Sequence, residues 1–381
     1  MFELLDGEEI SDLDGEFSSA RRGNDSSLSP LRAERKLRMA CPKPLATWGR
    51  RFPPNSTNMM AKIMVNSQAP SPNILNSEED LFLAQLPYSM LKKSQPSYFY
   101  GHRAAVKLAR RLLWQVGIES SHLDAQILLE AVLKKDRLEL MVGDELELNQ
   151  EQLERFWSLV RRRLCYEPIA YLTSTKEFYG HEFHVSKDCL IPRPDTECVV
   201  EKCLSLLTDT SGGLVIDMCT GSGAIGLTIL SQRPNLTVIG SDISLGALKI
   251  AEKNADALKV SQRFIGKHGD LFLALDASDV AQMIVANPPY IAKNALDSLP
   301  SDVGKYEPRI ALDGGDEMGI SFYRRILDGA ASHLHDGGYL IFEIGFDQAE
   351  LVVSLLPNGF KMVEIFKDLS GHDRGVVFKK P

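Results

Sequence analysis

The residues best suited to chemistry form the tetrapeptide Asn287-Pro288-Pro289-Tyr290, which ends an apolar run. Two adjacent prolines have no backbone N–H to donate, so they stop a sheet ladder and leave carbonyl oxygens free to accept. Asn287 adds a side-chain carbonyl acceptor, and Tyr290 adds a flat ring that can pack on a planar group. The tetrapeptide is therefore suited to hold a planar –NH2 group by its two hydrogens.

An amide nitrogen held in this way is a poor nucleophile because its lone pair is delocalised. Fixing both hydrogens would place the nitrogen in line with a reactive methyl group, and the gain would come mainly from proximity and orientation. No strong base stands out in the sequence, so positioning is expected to suffice against a cationic sulfonium. The alternative interpretation is a strand exit stiffened by proline, with no role in chemistry.

A second motif, Cys219-Thr220-Gly221-Ser222-Gly223, follows the short apolar segment "GLVIDM". Its glycines permit a tight turn and close approach of a ligand, and the N-terminus of the next helix offers free N–H groups. The motif alone is weak, because an ordinary strand-to-helix turn has the same pattern.

Acidic residues after the next two predicted strands strengthen this interpretation. Asp242 closes "LTVIGSD" about 20 residues after Gly221, where doubly wound folds place an acid that holds ribose hydroxyls. Asp270 and Leu271 follow the third strand, in positions that could reach a base ring. Ligands of such sheets bind beyond the carboxyl ends of the strands, so these residues and Asn287 are expected to converge on one crevice.

The segments that must position these residues alternate between strand and helix from Leu214 onward, and the chain closes with two strands joined by a turn. This pattern predicts a doubly wound α/β fold with an antiparallel edge. From Arg103 to Cys165 apolar residues recur instead at three and four positions, which predicts a small helical domain. Ser120, Ser121 and Asn149 are its candidate N-caps, and its outer surface either only packs or docks a partner.

Composition excludes several classes of protein. The 381 residues carry a net charge of −8, which argues against a protein that grips nucleic acid mainly through phosphates. No apolar run approaches the length of a membrane span. The six cysteines form no C-x-x-C pair and no zinc spacing with histidine, so no metal site is predicted and a reducing compartment is expected.

The first 95 residues differ from the rest of the chain. They open with an acidic stretch, and residues 36–76 then contain no Asp or Glu but several Pro, Ser and Asn. A disordered extension and an organelle-targeting peptide both fit this composition, and both remain open.

The motifs "DMCTGSGAIG", "SDIS", "GDLF" and "NPPY" together resemble class I S-adenosylmethionine-dependent methyltransferases that act on planar nitrogens. From about Ala104 to Lys380 the chain is similar to the release-factor glutamine methyltransferases, with "LIPRPDTE", "YEPRIALDGG" and "KDLSGHDRG" among the matching segments. Adenine and cytosine methyltransferases share the tetrapeptide, whereas "PRPDTE" together with "EPRIALDGG" is much more specific.

The resemblance implies transfer of a methyl group from S-adenosylmethionine to the glutamine of the Gly-Gly-Gln loop in a class I peptide chain release factor, giving N5-methylglutamine. It implies a seven-stranded Rossmann-like methyltransferase sheet over 196–381, a hairpin linker over 171–195 and a helical substrate-docking domain over 96–170. The expected protein is a monomer in the cytoplasm, or alternatively in a mitochondrion or plastid. No contact with membrane or nucleic acid is expected.

The resemblance also implies roles for individual residues. The loop from Cys219 to Gly223 would cradle the methionine part, Asp242 would hold the ribose, and Asp270 and Leu271 would lie at the adenine. Asn287 would contact both cofactor and substrate amide, and Pro288, Pro289 and Tyr290 would complete the clamp. Cys219 departs from the family's usual glycine, and a left-handed backbone there would be strained.

Arg193, Glu307 and Arg309 lie in the matching segments, outside the cofactor loop and the tetrapeptide. Arg193 is expected to line the cofactor entrance or to form a structural ion pair, whereas Glu307 and Arg309 are expected to organise a loop. An adenine-N6 methyltransferase acting on DNA or RNA would use the same clamp, but the acidic net charge disfavours it. A module that binds the cofactor without turnover is disfavoured by the intact tetrapeptide.

Overall fold

The computed structural model describes residues 101–208 and 212–381. The extension predicted for residues 1–95 lies outside the described residues. The domain boundaries predicted at 96–170, 171–195 and 196–381 stay predictions. No helix in the described ranges is both long and apolar enough to cross a bilayer.

A helical region opens the described part of the chain. Its helices are α1 (His102–Gln115), α2 (Ser121–Leu133), α3 (Arg137–Val142), α4 (Gln150–Leu164) and α5 (Ile169–Thr173). Their apolar faces meet in one core that includes Leu113, Leu128 and Phe156. Because each helix buries a single stripe, the region reads as amphipathic in the sequence, as predicted.

Two of the predicted caps behave differently. Asn149 accepts from the backbone N–H of Gln152 at 2.9 Å and the Gln152 side chain accepts from the Asn149 N–H, so α4 begins with a capping box. Ser120 takes the N-cap position of α2, but its side chain makes no capping hydrogen bond and its backbone is not extended (ψ 10°). The predicted N-cap position of Ser120 is therefore confirmed without a side-chain cap, whereas Ser121 is wrong as a cap because it is the first helical residue.

A short antiparallel hairpin, β1 (Thr175–Phe178) and β2 (His181–His184), follows the helices. Asn254 anchors it, accepting from the His184 N–H at 2.7 Å and donating to the His184 carbonyl at 3.0 Å. The same Asn254 amide donates to the carbonyl of Ser222 at 2.8 Å. One buried amide thus ties the hairpin to the glycine-containing loop.

Seven further strands are β3 (Gly213–Met218), β4 (Leu236–Asp242), β5 (Phe264–His268), β6 (Ala281–Ala286), β7 (Leu334–Glu343), β8 (Lys361–Lys367) and β9 (Asp373–Lys379). Within the described residues they form one sheet with the order β5-β4-β3-β6-β7-β9-β8. Strands β3 to β7 are parallel and β9 is antiparallel to both of its neighbours. The fold prediction, including the antiparallel edge, is confirmed.

Helices cover both faces of the sheet, so alternate residues of each central strand enter two separate cores. Val215 belongs to one core and its neighbour Ile216 to the other. Because β3 to β7 are parallel, their carboxyl ends lie along one edge. The remaining helices are α6 (Glu197–Leu206), α7 (Ala224–Gln232), α8 (Leu245–Ala257), α9 (Ser301–Tyr306), α10 (Ser321–His333) and α11 (Ala349–Ser354).

Candidate active site

A cavity of about 270 Å³ lies at the carboxyl ends of β3, β4, β5 and β6. The expected convergence is present, since each of these strand ends contributes to the lining. The predicted site residues in the lining are Cys219, Thr220, Gly221, Ser222, Asp242, Asp270, Leu271, Asn287 and Pro289. Gly223, Pro288 and Tyr290 do not line this cavity, so a substrate that contacts Pro288 or Tyr290 must do so outside it.

The loop after β3 is built from alternating backbone conformations. Cys219, Gly221 and Gly223 all have positive φ, at 59°, 57° and 83°. Gly223 is the N-cap of α7, and a Cβ atom there would lie 2.6 Å from a methyl carbon of Leu227. The absence of a side chain at Gly223 therefore lets the loop pack closely on the first turn of α7. Gly223 faces this helix and does not line the cavity.

Asp217, at the base of this loop, determines how Thr220 is used. The Thr220 hydroxyl donates to the Asp217 carboxylate at 2.6 Å, and the Gly226 N–H donates to the same oxygen at 3.0 Å. Burial raises the pKa of Asp217 to about 6, although both hydrogen bonds act to lower it. The hydroxyl of Thr220 is thus committed to the loop, and a ligand meets the residue mainly through other atoms.

Asp242 links the second strand end to the loop. Its two carboxylate oxygens accept from the N–H groups of Gly221 at 2.9 Å and Ser244 at 2.8 Å. Burial raises the pKa of Asp242, and the backbone hydrogen bonds from Ser244 and Gly221 oppose the shift. Each oxygen has a further lone pair, so a carboxylate on the cavity wall can still accept from two neighbouring hydroxyls.

An unpaired polar atom lies beside Asp242. The hydroxyl of Ser241 is buried, lines the cavity and has no hydrogen-bond partner within residues 101–208 and 212–381. Buried hydroxyls are ordinarily paired, so this one points to a ligand in the cavity. Asp242 and Ser241 together fit a cofactor that brings sugar hydroxyls and polar groups to this wall, as S-adenosylmethionine does.

The other end of the cavity carries residues that the sequence analysis missed. Asp270 forms an ion pair with Arg325 of α10 at 2.6 Å, and the Arg325 guanidinium lies 5.5 Å from the ring centre of Phe322. All three line the cavity with Leu271. Nothing in the spacing of the sequence marked Phe322 or Arg325, because both belong to an amphipathic helix that is distant along the chain.

The predicted ion pair of Arg193 is present. The guanidinium of Arg193 bonds the buried Glu307 carboxylate, which also accepts from the Ile191 N–H at 3.2 Å. Burial raises the pKa of Glu307, and the charge of Arg193 opposes this shift. Arg193 lines the cavity as well, so the ion pair fixes the loop at its entrance. The exposed guanidinium of Arg309 lies 3.7 Å from the Asp313 carboxylate, and the Arg309 carbonyl accepts from the N–H groups of Leu312 and Asp313.

The tetrapeptide follows β6 directly, and its prolines end the hydrogen-bond ladder of that strand. Contacts from distant segments hold the backbone at Tyr290 and Ile291. Gln348 donates to the carbonyl of Tyr290 at 2.9 Å, and Ile291 forms an isolated parallel bridge with Asp313. Gly319 packs so closely that an added Cβ atom would overlap the Tyr290 carbonyl oxygen. The segment "EPRIALDGGDEMGIS" therefore serves as a brace for the tetrapeptide.

A buried acid at the end of β7, Glu343, is the most consequential residue that the sequence analysis missed. Glu343 is 1% exposed, and β7 pairs with β6, so Glu343 and Asn287 follow paired residues at the same edge. Burial raises the pKa of Glu343 to about 7, while hydrogen bonds from Thr196 and Asn287 and the charge of Arg374 oppose this shift. A polar residue that closes an apolar strand was the available signal, as it was for Asp242.

Across residues 101–208 and 212–381, no group of three or more His, Cys, Asp or Glu side chains could hold a metal ion. The cysteines of these ranges form no disulfide bond: Cys165, Cys189, Cys198, Cys203 and Cys219. Burial raises the pKa of the Cys219 thiol, so it is protonated near neutral pH and is a poor nucleophile.

Replacing Cys219 with glycine is expected to raise the free energy of unfolding by up to about 1 kcal/mol, because a left-handed backbone costs a non-glycine residue about 1–2 kcal/mol and some buried contact is lost. Replacement with valine is expected to lower it by about 1–3 kcal/mol, since a branched side chain tolerates positive φ worst. Urea unfolding of both variants measures this. Equal stability of the two variants would contradict the strain at this position.

Comparison with known proteins agrees with both parts of the fold. Residues 104–173 match the family model described as the PrmC N-terminal domain, and residues 201–299 match the methyltransferase small domain. A release factor glutamine methyltransferase of Clostridium acetobutylicum is 41% identical over 67% of this chain and 90% of its own length.

Two more relatives extend the comparison. A release factor glutamine methyltransferase of Moorella thermoacetica is 40% identical over 71% of this chain and 96% of its own length. A bifunctional methyltransferase of Rickettsia felis is 36% identical over 73% of this chain, which spans 58% of that longer protein. The chain therefore belongs to the release factor glutamine methyltransferase family.

Proposed function

We propose that the protein transfers a methyl group from S-adenosylmethionine to the side-chain nitrogen of the glutamine in the Gly-Gly-Gln loop of a class I peptide chain release factor. The observation that carries this proposal is the position of Asn287, an amide acceptor on the wall of a cavity whose other walls fit the cofactor. The family relationship supports the same substrate.

The cofactor site extends along three strand ends. The loop from Cys219 to Gly223 receives the methionine part, Asp242 accepts from the ribose hydroxyls, and Asp270 and Leu271 flank the adenine. When bound, S-adenosylmethionine supplies a methyl group on a cationic sulfur. Phe322 and Arg325 close this end of the cavity and help to exclude water from it.

The tetrapeptide holds the substrate. The side-chain oxygen of Asn287 and the carbonyl of Pro288 each accept one hydrogen of the glutamine –NH2 group, and Tyr290 packs on the planar amide. With both hydrogens fixed in the amide plane, the lone-pair face of the nitrogen is turned toward the methyl donor. The residues act by orientation, which is worth several orders of magnitude when the reacting atoms are aligned. The transferred methyl replaces one hydrogen, which leaves as a proton.

The helical region outside the cavity serves to recognise the protein substrate. This region is the docking domain for the release factor, and the reactive glutamine reaches the cavity because it lies on a loop of the partner. The net charge of −8 suits a protein partner better than nucleic acid. A monomer acting in the cytoplasm completes the proposal, with an organelle as the alternative.

Transfer of a labelled methyl group tests this function. The purified protein is incubated with labelled S-adenosylmethionine and a class I release factor, its loop Gln→Ala variant, or double-stranded DNA. Label is expected on the wild-type release factor alone, and mass spectrometry is expected to place it on the loop glutamine. Label on DNA, or equal label on the Gln→Ala variant, would overturn the proposal in favour of another substrate.

A further inference from the structure

The buried carboxyl of Glu343 lies where it can control the substrate clamp. Phe342, which precedes it, pairs with Ala286, which precedes Asn287, so the two side chains leave adjacent strand ends. The side chains of Asn287 and Thr196 lie within reach of the Glu343 carboxyl, and both lower its pKa as hydrogen-bond donors do. The carboxyl oxygen Oε2 is buried and has no partner among the described residues.

Such an arrangement is poor for stability. A carboxyl that is 1% exposed is desolvated, and a buried oxygen without a hydrogen bond adds to the cost. An apolar side chain at the end of β7 would avoid both penalties. The placement of an acid here therefore points to a role in function.

The role follows from the symmetry of a carboxamide. An asparagine side chain can turn over and exchange its oxygen and its –NH2 group at little cost, but only the oxygen can accept from a substrate amide. An ionised carboxylate accepts and never donates, so it bonds only the –NH2 end of Asn287. The oxygen of Asn287 then points the opposite way, toward the cavity that Asn287 lines.

We propose that Glu343 is a positioning residue for the methyl transfer: its carboxylate binds the –NH2 group of Asn287 and so presents the Asn287 oxygen to the substrate amide. The inference rests on the proposed function for its consequence, but the contact itself concerns only this chain. A protonated Glu343 could instead donate to the Asn287 oxygen, and the clamp would then offer the substrate a donor where it needs an acceptor.

The charged and titratable groups around Glu343 decide when it is ionised. They come from the turn before α6, α6 itself, the tetrapeptide, α10, the β8–β9 turn and β9: Asp195, Cys198, Tyr290, Tyr323, Asp368 and Arg374. Burial raises the pKa of Cys198, Tyr290 and Tyr323, so these three stay neutral near pH 7. Arg374 favours the carboxylate, and it is shared with Asp368 at 2.9 Å and Asp195 at 3.3 Å.

Activity is therefore expected to follow the ionisation of Glu343. The pKa of Glu343 is about 7, so the fraction of carboxylate, and with it kcat/KM for the release factor, rises as pH increases through this value. Glu343→Gln carries no charge and can donate to the Asn287 oxygen. It is expected to lower kcat/KM by about 10²-fold at pH 8 and to remove the inflection near 7. The Kd for S-adenosylmethionine is expected to stay within about twofold.

Stability separates this role from a structural one. A carboxyl whose pKa is raised on folding contributes stability that is present below its unfolded pKa and lost as pH rises through its folded pKa. Glu343→Gln lacks that loss, so at pH 8 it is expected to be at least as stable as the wild type while being far less active. A drop in stability that parallels the drop in activity would contradict positioning.

The matched control is Asp279→Asn, which also changes an acid to an amide but lies just before β6, at the opposite edge of the sheet. Asp279 pairs with Lys267 at 2.6 Å, so its loss affects stability without contacting Asn287. This variant is expected to keep both the activity and the pH profile of the wild type.

A measurement without substrate separates failure of this inference from failure of the proposed function. The side-chain amide signal of Asn287, assigned by its absence in Asn287→Asp, is expected to shift in ¹⁵N–¹H spectra with a midpoint near 7 in the wild type and to ignore pH in Glu343→Gln. A wild-type signal that does not titrate, or full activity of Glu343→Gln, would overturn the role of Glu343. Absence of transfer by the wild type alone would count against the substrate and leave the amide titration to decide this contact.

Discussion

Replacing Asn287 with alanine is expected to lower kcat for methyl transfer by about 10²–10³-fold, the usual cost of removing one preorganised polar contact to a reacting group. Binding of S-adenosylmethionine is expected to survive at least in part, because Asp242 and the loop after β3 supply separate contacts. The reason is geometric: alanine leaves one hydrogen of the substrate –NH2 group unheld, so the nitrogen rotates away from the donor. Single-turnover transfer and calorimetric titration of the cofactor measure the two effects.

Two further variants sharpen that experiment. Asn294→Ala removes an exposed asparagine seven positions further along the same segment and is expected to leave transfer unchanged. Asn287→Asp keeps an acceptor but places a second carboxyl beside Glu343, so it is expected to lose activity and to recover part of it only as pH falls. Full activity of Asn287→Ala would remove the clamp from the mechanism.

The sheet and the convergence of its strand ends were predictable because both depend on local patterns. An apolar run that closes on a polar residue marks the carboxyl end of a buried strand, and parallel strands bring such ends to one edge. Asp242 and Asn287 were found by this rule. Glu343 obeys it equally well, and it was missed because "YLIFEIG" was interpreted only as a strand.

The contacts that brace the site were not predictable from spacing. Gln348 reaches the Tyr290 carbonyl, and Gly319 lets a distant loop pack against the same carbonyl. Such contacts depend on how loops far apart in the chain fold back over the sheet. The pattern of "MGIS" offers no sign of them, because a glycine with φ of 70° is indistinguishable in sequence from one that serves an ordinary turn.

Two residues depart from the backbone and capping preferences of their residue type. Cys219 adopts φ of 59° although it has a Cβ atom, so the loop conformation is imposed by its surroundings. Ser120 has a side chain suited to capping, yet it makes no cap bond, because α2 begins at Ser121 with the backbone of Ser120 already turned. In both cases tertiary packing outweighed a preference of about 1 kcal/mol.

Replacing Asp242 with alanine is expected to weaken binding of S-adenosylmethionine by about 10²–10⁴-fold, since each hydrogen bond from a ribose hydroxyl to a carboxylate contributes about 1.5–3 kcal/mol. The same change removes the acceptor of the Gly221 N–H, which lies 2.9 Å from the carboxylate, and so loosens the loop that receives the methionine part. Calorimetric titration gives the affinity. Asp256→Asn, an exposed acid on α8, is the control and is expected to bind normally.

The kinetic consequence distinguishes Asp242 from Asn287. A residue that binds the cofactor equally in the ground state and the transition state changes KM for S-adenosylmethionine and leaves kcat nearly intact at saturation. Asp242→Asn keeps the size of the side chain, but its –NH2 group is a donor that can face the Gly221 N–H, which is also a donor. This variant is therefore expected to raise KM for S-adenosylmethionine at least about 30-fold and to change kcat by no more than a few-fold. A kcat loss as large as that of Asn287→Ala at saturating cofactor would mean that the ribose contact also aligns the methyl group, and the division of the cavity into a binding end and a clamping end would be wrong.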